Sequence, residues 1–203
     1  MGKLEFWYDF ASTYSYFAAM RIEAAAKAAG IGIVYRPFLL GPIFKAQGWT
    51  TSPFNLFPAK GRYMVRDIAR IASARGLPPL RMPAAFPANG LHAARVALAG
   101  EAEGWIAAFT RAVFEAEFAH QRDIADVAVL GSLLDRLGID AEAALARSTT
   151  PEIKDRLRAQ TEAASARGIF GAPTFITEDG ELFWGDDRLD QAIEWASPQR
   201  HVS

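Results

Sequence analysis

The sequence predicts an α/β fold in which a small sheet is interrupted by a large all-helical insertion. Three observations carry this. An apolar run, KLEFWY at 3–8, is followed by helical periodicity and a second apolar run, IGIVYR at 31–36. That βαβ unit implies parallel pairing of its two strands. Residues 60–167 then read as helix almost throughout, and strand patterns return only at TFIT (174–177) and ELFW (181–184). The order β-α-β, helical block, β-β-α assigns 1–40 and 168–203 to the sheet domain, and 41–167 to a loop plus an inserted helical domain.

Each element has its own local reason. The first strand ends at Asp9. From about Tyr14 to Ala29, the apolar residues Phe17, Met20, Ala24 and Ala28 recur at three and four, and Gly30 supplies a stop. The second strand is closed by Pro37. Residues 41–58, rich in Gly, Pro, Thr and aromatics, read as a long irregular loop of the kind that is usually functional or mobile. Helices are predicted at about 61–75, 88–99, 103–118, 126–137, 140–147 and 151–167. Asp126 and Asp140 serve as N-caps, Pro151 as a first helical residue, and Gly76, Gly138 and Gly168 as stops. Pro78, Pro79, Pro83 and Pro87 keep the connection between the first two of these extended. Glu178-Asp179-Gly180 turns between the last two strands, and a final helix runs from about Arg188 to Ala196.

Composition removes several classes of function. A net charge of −1 argues against nucleic acid or an anionic membrane surface as the main partner. No apolar run approaches the roughly 18 residues of a membrane span. The N-terminus MGKLEFWYDF lacks the features of a signal peptide, so a cytoplasmic protein is expected. With no cysteine in the chain, disulfides, thiolate metal sites and redox chemistry on the protein's own sulfur are all excluded. His92, His120 and His201 are scattered and suggest neither a triad nor a metal site.

Four short stretches could carry chemistry. In DFASTYSYF (9–17), Ser12 and Ser15 stand three apart where the first helix begins. Unpaired N–H groups and the helix dipole favour a negative group there. The Ser12 hydroxyl either donates to a bound anion or thiolate, or simply caps the helix. In GIFGAPTFIT (168–177), Pro173 is either a cis-proline turning a backbone edge toward a ligand or an ordinary trans proline opening an edge strand. In WGDDRL (184–189), Asp186 and Asp187 either bind an ammonium group or cap the last helix. In FPAKGRYMVRDIAR (57–70), Lys60 sits at a helix start, against the dipole, and either has an anionic partner elsewhere or is a solvated surface lysine, and Asp67 lies two turns on. Glu115 and Glu117, two apart on one helix, read as solvated, while Trp105, Phe109, Phe114 and Phe118 read as core.

Taken together, FWYDFASTYSYFA (6–18), FPAKGRYMVRDIAR (57–70), GIFGAPTF (168–175) and FWGDDRLD (183–190) resemble one family nearly end to end. It is the thioredoxin-like group with a helical insertion: bacterial 2-hydroxychromene-2-carboxylate isomerases and kappa-class glutathione transferases. The resemblance implies glutathione as cofactor and a small aromatic acid as substrate. It implies that Ser12 hydrogen-bonds the sulfur, that Ala172 pairs with the cysteinyl part ahead of cis-Pro173, and that Lys60 meets the glycyl carboxylate. By the same likeness Asp186 and Asp187 hold the γ-glutamyl end, Asp67 is a further polar position, and the protein is a homodimer. The implied activity is glutathione-dependent cis-trans isomerisation. A kappa-like transferase and a non-catalytic thioredoxin-like binding protein are the alternatives. Two departures stand out: Gly48-Trp49-Thr50-Thr51-Ser52-Pro53 replaces the Gly-Asn-x-Pro-Pro of the family's loop, and Thr13 follows the serine in place of proline.

Overall fold

The computed structural model describes residues 2–197. Four strands form one sheet in the order β2-β1-β3-β4. β1 (Lys3–Tyr8) lies parallel to β2 (Gly32–Pro37), with Phe6 opposite Tyr35. On its other side β1 runs antiparallel to β3 (Thr174–Thr177), with Phe6 opposite Phe175, and β3 pairs antiparallel with β4 (Leu182–Trp184). The alternation of a strand sends Leu4, Phe6 and Tyr8 to one face of β1 and Trp7 to the other. Phe6 stacks on Tyr8 at 4.8 Å and on Phe175 at 5.7 Å, so aromatic pairs bind the central strands together.

Helix α1 (Thr13–Ala29) connects β1 to β2 and ends at Gly30, whose φ of 66° is a left-handed C-terminal stop. The stretch predicted as an irregular loop instead holds two short helices, α2 (Leu40–Ala46) and α3 (Pro53–Leu56). Pro53 opens α3 at its first position, where no N–H is needed, and α2 carries Pro42 in its first turn. The Asp9 carboxylate accepts the Leu40 N–H at 2.7 Å, and Ser52 Oγ accepts that of Phe54 at 3.3 Å.

The helical block follows as α4 (Pro58–Ala74), α5 (Leu91–Ala99), α6 (Ile106–Phe118), α7 (Val127–Arg136), α8 (Ala141–Ser148) and α9 (Pro151–Ala166). The predicted caps form: Asp126 accepts from Ala128 N at 2.8 Å, and Asp140 from Ala143 N at 3.0 Å. A 3-10 turn (Asp186–Arg188) and α10 (Leu189–Ala196) are the last elements among the described residues. One apolar cluster runs from Leu4, Phe6 and Phe175 through Phe17 and Ile22 of α1 to Phe109, Phe114, Phe118 and Leu130. A second, of Trp7, Phe38, Ile43, Ala164, Ile169 and Ile176, lies on the other face of the sheet beneath α2 and α9.

The prediction for Glu117 is overturned. Glu115 is exposed, but Glu117 is fully buried on the stripe of Thr110, Val113 and Phe114, which recur at helical spacing. Among the described residues no helix is long and apolar enough to cross a membrane.

Candidate functional site

The end of β1, the start of α1 and the segment before β3 meet at one edge of the sheet. Asp9 is buried, and its carboxylate accepts the N–H groups of Ala11 (2.8 Å) and Leu40 (2.7 Å). Burial raises its pKa above the usual carboxylate range, against the lowering effect of those two bonds. The tight turn it holds presents Ser12 as N-cap of α1, where its Oγ accepts the Ser15 N–H at 3.1 Å. The same hydroxyl donates to the Ala172 carbonyl at 2.8 Å. Capping α1 and tying it to the segment before β3 are therefore combined in one side chain. Ser15 is fully buried, and its hydroxyl has no hydrogen-bond partner.

The Ala172–Pro173 peptide is cis. The segment is pinned on both sides of it: Thr174 Oγ1 donates to Gly171 O at 2.9 Å, and Gly185 N donates to Pro173 O at 3.0 Å. A Cβ at Gly171 would run into the Trp184 indole, so any larger residue there would have to displace that half-exposed ring.

Ser12, Ala172, Lys60, Asp67, Asp186 and Asp187 all line one cleft of about 1790 Å³. Its far wall is built by α2, Trp49-Thr50-Thr51 and α3, so the segment that departs from the family's loop borders the same space. Trp49 packs between Phe44 (5.4 Å) and Phe57 (6.4 Å), and Phe170 meets Trp184 at 4.9 Å on the opposite rim. The cleft is thus mainly apolar, with a few polar groups converging near Ser12.

Those groups differ in how free they are. Lys60 is exposed in the first turn of α4, over the Phe57 ring at 4.8 Å, and makes no ion pair with any described residue. Asp67 accepts from Tyr14 Oη at 2.9 Å and pairs with Arg70 at 3.1 Å. Asp186 is buried, and its carboxylate is held by Arg75 (2.6 and 3.0 Å) and Arg21 (3.4 Å). Asp187 is open to solvent, beside Arg188 at 3.4 Å. The pair that looks equivalent in sequence is divided: one carboxylate is internal and neutralised, the other faces outward.

Tyr14 is the site residue that sequence reasoning passed over. It is half-buried between Ser12 and Asp67, against the Phe54 ring, and its phenol is pushed well above the usual range, by burial first and by Asp67 second. Only its position inside the quoted motif could have flagged it. Among the described residues no cluster of His, Asp and Glu could hold a metal ion, and His201 lies outside them.

A family model described as a DSBA-like thioredoxin domain matches residues 3–194. The chain belongs to that family. Among DsbA-like relatives, the 2-hydroxychromene-2-carboxylate isomerase of Sphingobium xenophagum is 31% identical over 189 residues, 92% of this chain and 94% of the relative. Glutathione S-transferase kappa 1 of Homo sapiens is 27% identical over 204 residues, covering 92% and 87% of the two chains. A solved structure of a 2-hydroxychromene-2-carboxylate isomerase superposes with a TM-score of 0.85 at 28% identity, over 95% of this chain and 93% of that one. The fold is therefore the DsbA-like thioredoxin fold, in a chain without cysteine.

Proposed function

We propose that this protein is a glutathione-dependent cis-trans isomerase acting on a 2-hydroxychromene-2-carboxylate-type aromatic acid. The observation that carries the reading is Ser12: a hydroxyl at the N-terminus of α1, opening on an apolar cleft, in a chain with no sulfur nucleophile of its own. Its similarity to isomerases of that name over more than nine-tenths of the chain supports the same reading.

The residues present suit the tripeptide. Lys60 is an unpaired cation for a carboxylate, Asp187 is an outward carboxylate for an ammonium, and Ala172 offers a backbone edge between them. Bound glutathione would supply a thiolate that adds reversibly to the substrate's double bond, so that the bond rotates before the thiol departs. The chain's own part is preorganisation. The α1 N-terminus and the Ser12 hydroxyl stabilise charge on sulfur without reorganising. Trp49, Phe44 and Phe54 hold the aromatic acid against that sulfur and exclude water.

Following the ultraviolet spectrum of 2-hydroxychromene-2-carboxylate with and without glutathione tests this. Conversion should require the thiol, and Ser12→Ala should cut turnover by about 10²-fold while glutathione is retained. Equal rates without thiol would end the proposal. A kappa-like transferase is the second reading, favoured by the human relative. It predicts a stable glutathione conjugate in the product mixture, where the isomerase reading predicts none.

A further inference from the structure

We infer that Ser12 and the Ala172 carbonyl form a hydrogen-bond exchange pair that selects thiols carrying an N–H beside the sulfur-bearing carbon. The inference rests on the glutathione reading above and adds to it a rule for which thiols are activated.

Ser12 Oγ carries one proton. In the structure that proton goes to Ala172 O at 2.8 Å, and the direction is fixed because a carbonyl only accepts. The other side of Oγ is taken by the Ser15 N–H at 3.1 Å. No other described residue donates to Ala172 O. A thiolate, like a carbonyl, only accepts. Ser12 therefore reaches sulfur only by turning away from Ala172, and the carbonyl then loses its partner. That loss costs free energy comparable with what the new bond gains.

A ligand removes the cost if it brings its own donor. In a cysteinyl residue, two carbons separate the amide nitrogen from the sulfur, a span comparable with the 2.8 Å between Ser12 Oγ and Ala172 O. The ligand N–H takes over Ala172 O as Ser12 turns to the sulfur, and Ser15 N–H stays on Oγ throughout. The proton released by the thiol passes to water. Activation of sulfur and recognition of the N–H are then a single event. A simple thiol at the same helix N-terminus receives the dipole's help but not the serine's proton.

The test is the ionisation of the bound thiol, read by thiolate ultraviolet absorbance across a pH series at saturating ligand. The ligands are glutathione and its ester analogue, in which oxygen replaces the cysteinyl N–H. Each is titrated on the native protein and on Ser12→Ala. At neutral pH, Ser12→Ala should lower the ionised fraction of bound glutathione about tenfold, but that of the ester analogue less than about twofold. On the native protein alone, the ester thiol should ionise at a higher pH than the glutathione thiol, a comparison that needs no variant to fold. Equal serine effects on both ligands would overturn the exchange and leave the glutathione reading standing. Failure of glutathione to bind at all would overturn both.

Discussion

Glu117 carries two carboxylate oxygens into a place that offers neither of them a hydrogen bond. Burial, and then the negative charges of Asp9 and Asp123, push its pKa well above the ordinary carboxylate value. The folded protein therefore holds this proton to a higher pH than the unfolded chain does. The resulting stability is full below the unfolded value near 4.5 and is lost as pH rises through the folded one. Each tenfold difference in proton affinity is worth about 1.4 kcal/mol. Glu117→Gln should thus gain on the native protein as pH rises from 5 to 8, in urea unfolding at a series of pH values. Parallel stability curves for the two proteins would refute this. The sequence did contain the warning: Glu117 stands seven residues from Thr110 and four from Val113, on a stripe that is otherwise core. Its spacing of two from Glu115 points to solvent, but its spacing from Val113 and Thr110 points to the core, and the core prevails.

At the scale of elements, the caps were legible because they are local chemistry. Asp126, Asp140, Pro151 and Gly30 act within a few residues of themselves, so the sequence alone announces them. Helix α2 was not legible because its support comes from elsewhere, while α3, started locally by Ser52 and Pro53, is a single turn. Asp9 caps the first from 31 residues away, and Ile43 anchors it on Trp7 and Phe38. Short helices of this kind are marginal without tertiary contacts. Helix α4 shows the functional side of the same point. Its first turn carries Lys60 where the dipole opposes a cation, and no described anion compensates. Lys60→Ala should weaken glutathione binding by about two- to fivefold in calorimetric titration, the range of an exposed ion pair, and leave the bound thiol's ionisation unchanged. A change in that ionisation would mean Lys60 acts on the sulfur instead. Replacing Lys60 should cost no more than about 1 kcal/mol of stability, since among the described residues its charge meets only the exposed Phe57 ring.

At the scale of the whole molecule, one buried carboxylate in the cleft wall ties three helices together. Asp186 joins Arg75 at the end of α4 to Arg21 in the middle of α1, and Arg21 also reaches Asp190 in α10 at 2.6 Å. Removing one partner of a buried pair costs about 3–5 kcal/mol, so Asp186→Ala should lower the unfolding free energy by that much, measured by denaturant titration. Asp187→Ala, one residue on and exposed, should change it by less than about 0.5 kcal/mol. Equal effects would mean the two carboxylates are not divided as described. From sequence the two are indistinguishable neighbours, and only the burial of one sorts them. The same holds for the bond from Ser12 to Ala172, which spans 160 residues of chain. Motifs could nominate both ends of it, but not say that they touch.

The tie at Arg75 also makes α4 a lever. The helix is about 25 Å long. It is pinned at its C-terminal end through Asp186, and Lys60 stands at the opposite end, over the cleft mouth. Gly61 presses against the backbone of Phe54, with no room for a side chain between them, so α3 must travel with that end. A tilt of α4 about its tether moves Arg75 least and Lys60, Phe57 and Phe54 most. One wall of the cleft therefore rides on a rod held at Arg75 by Asp186, at Asp67 by Tyr14 and in the core by Met64 and Ile68, so that the turn carrying Lys60 has the least holding it.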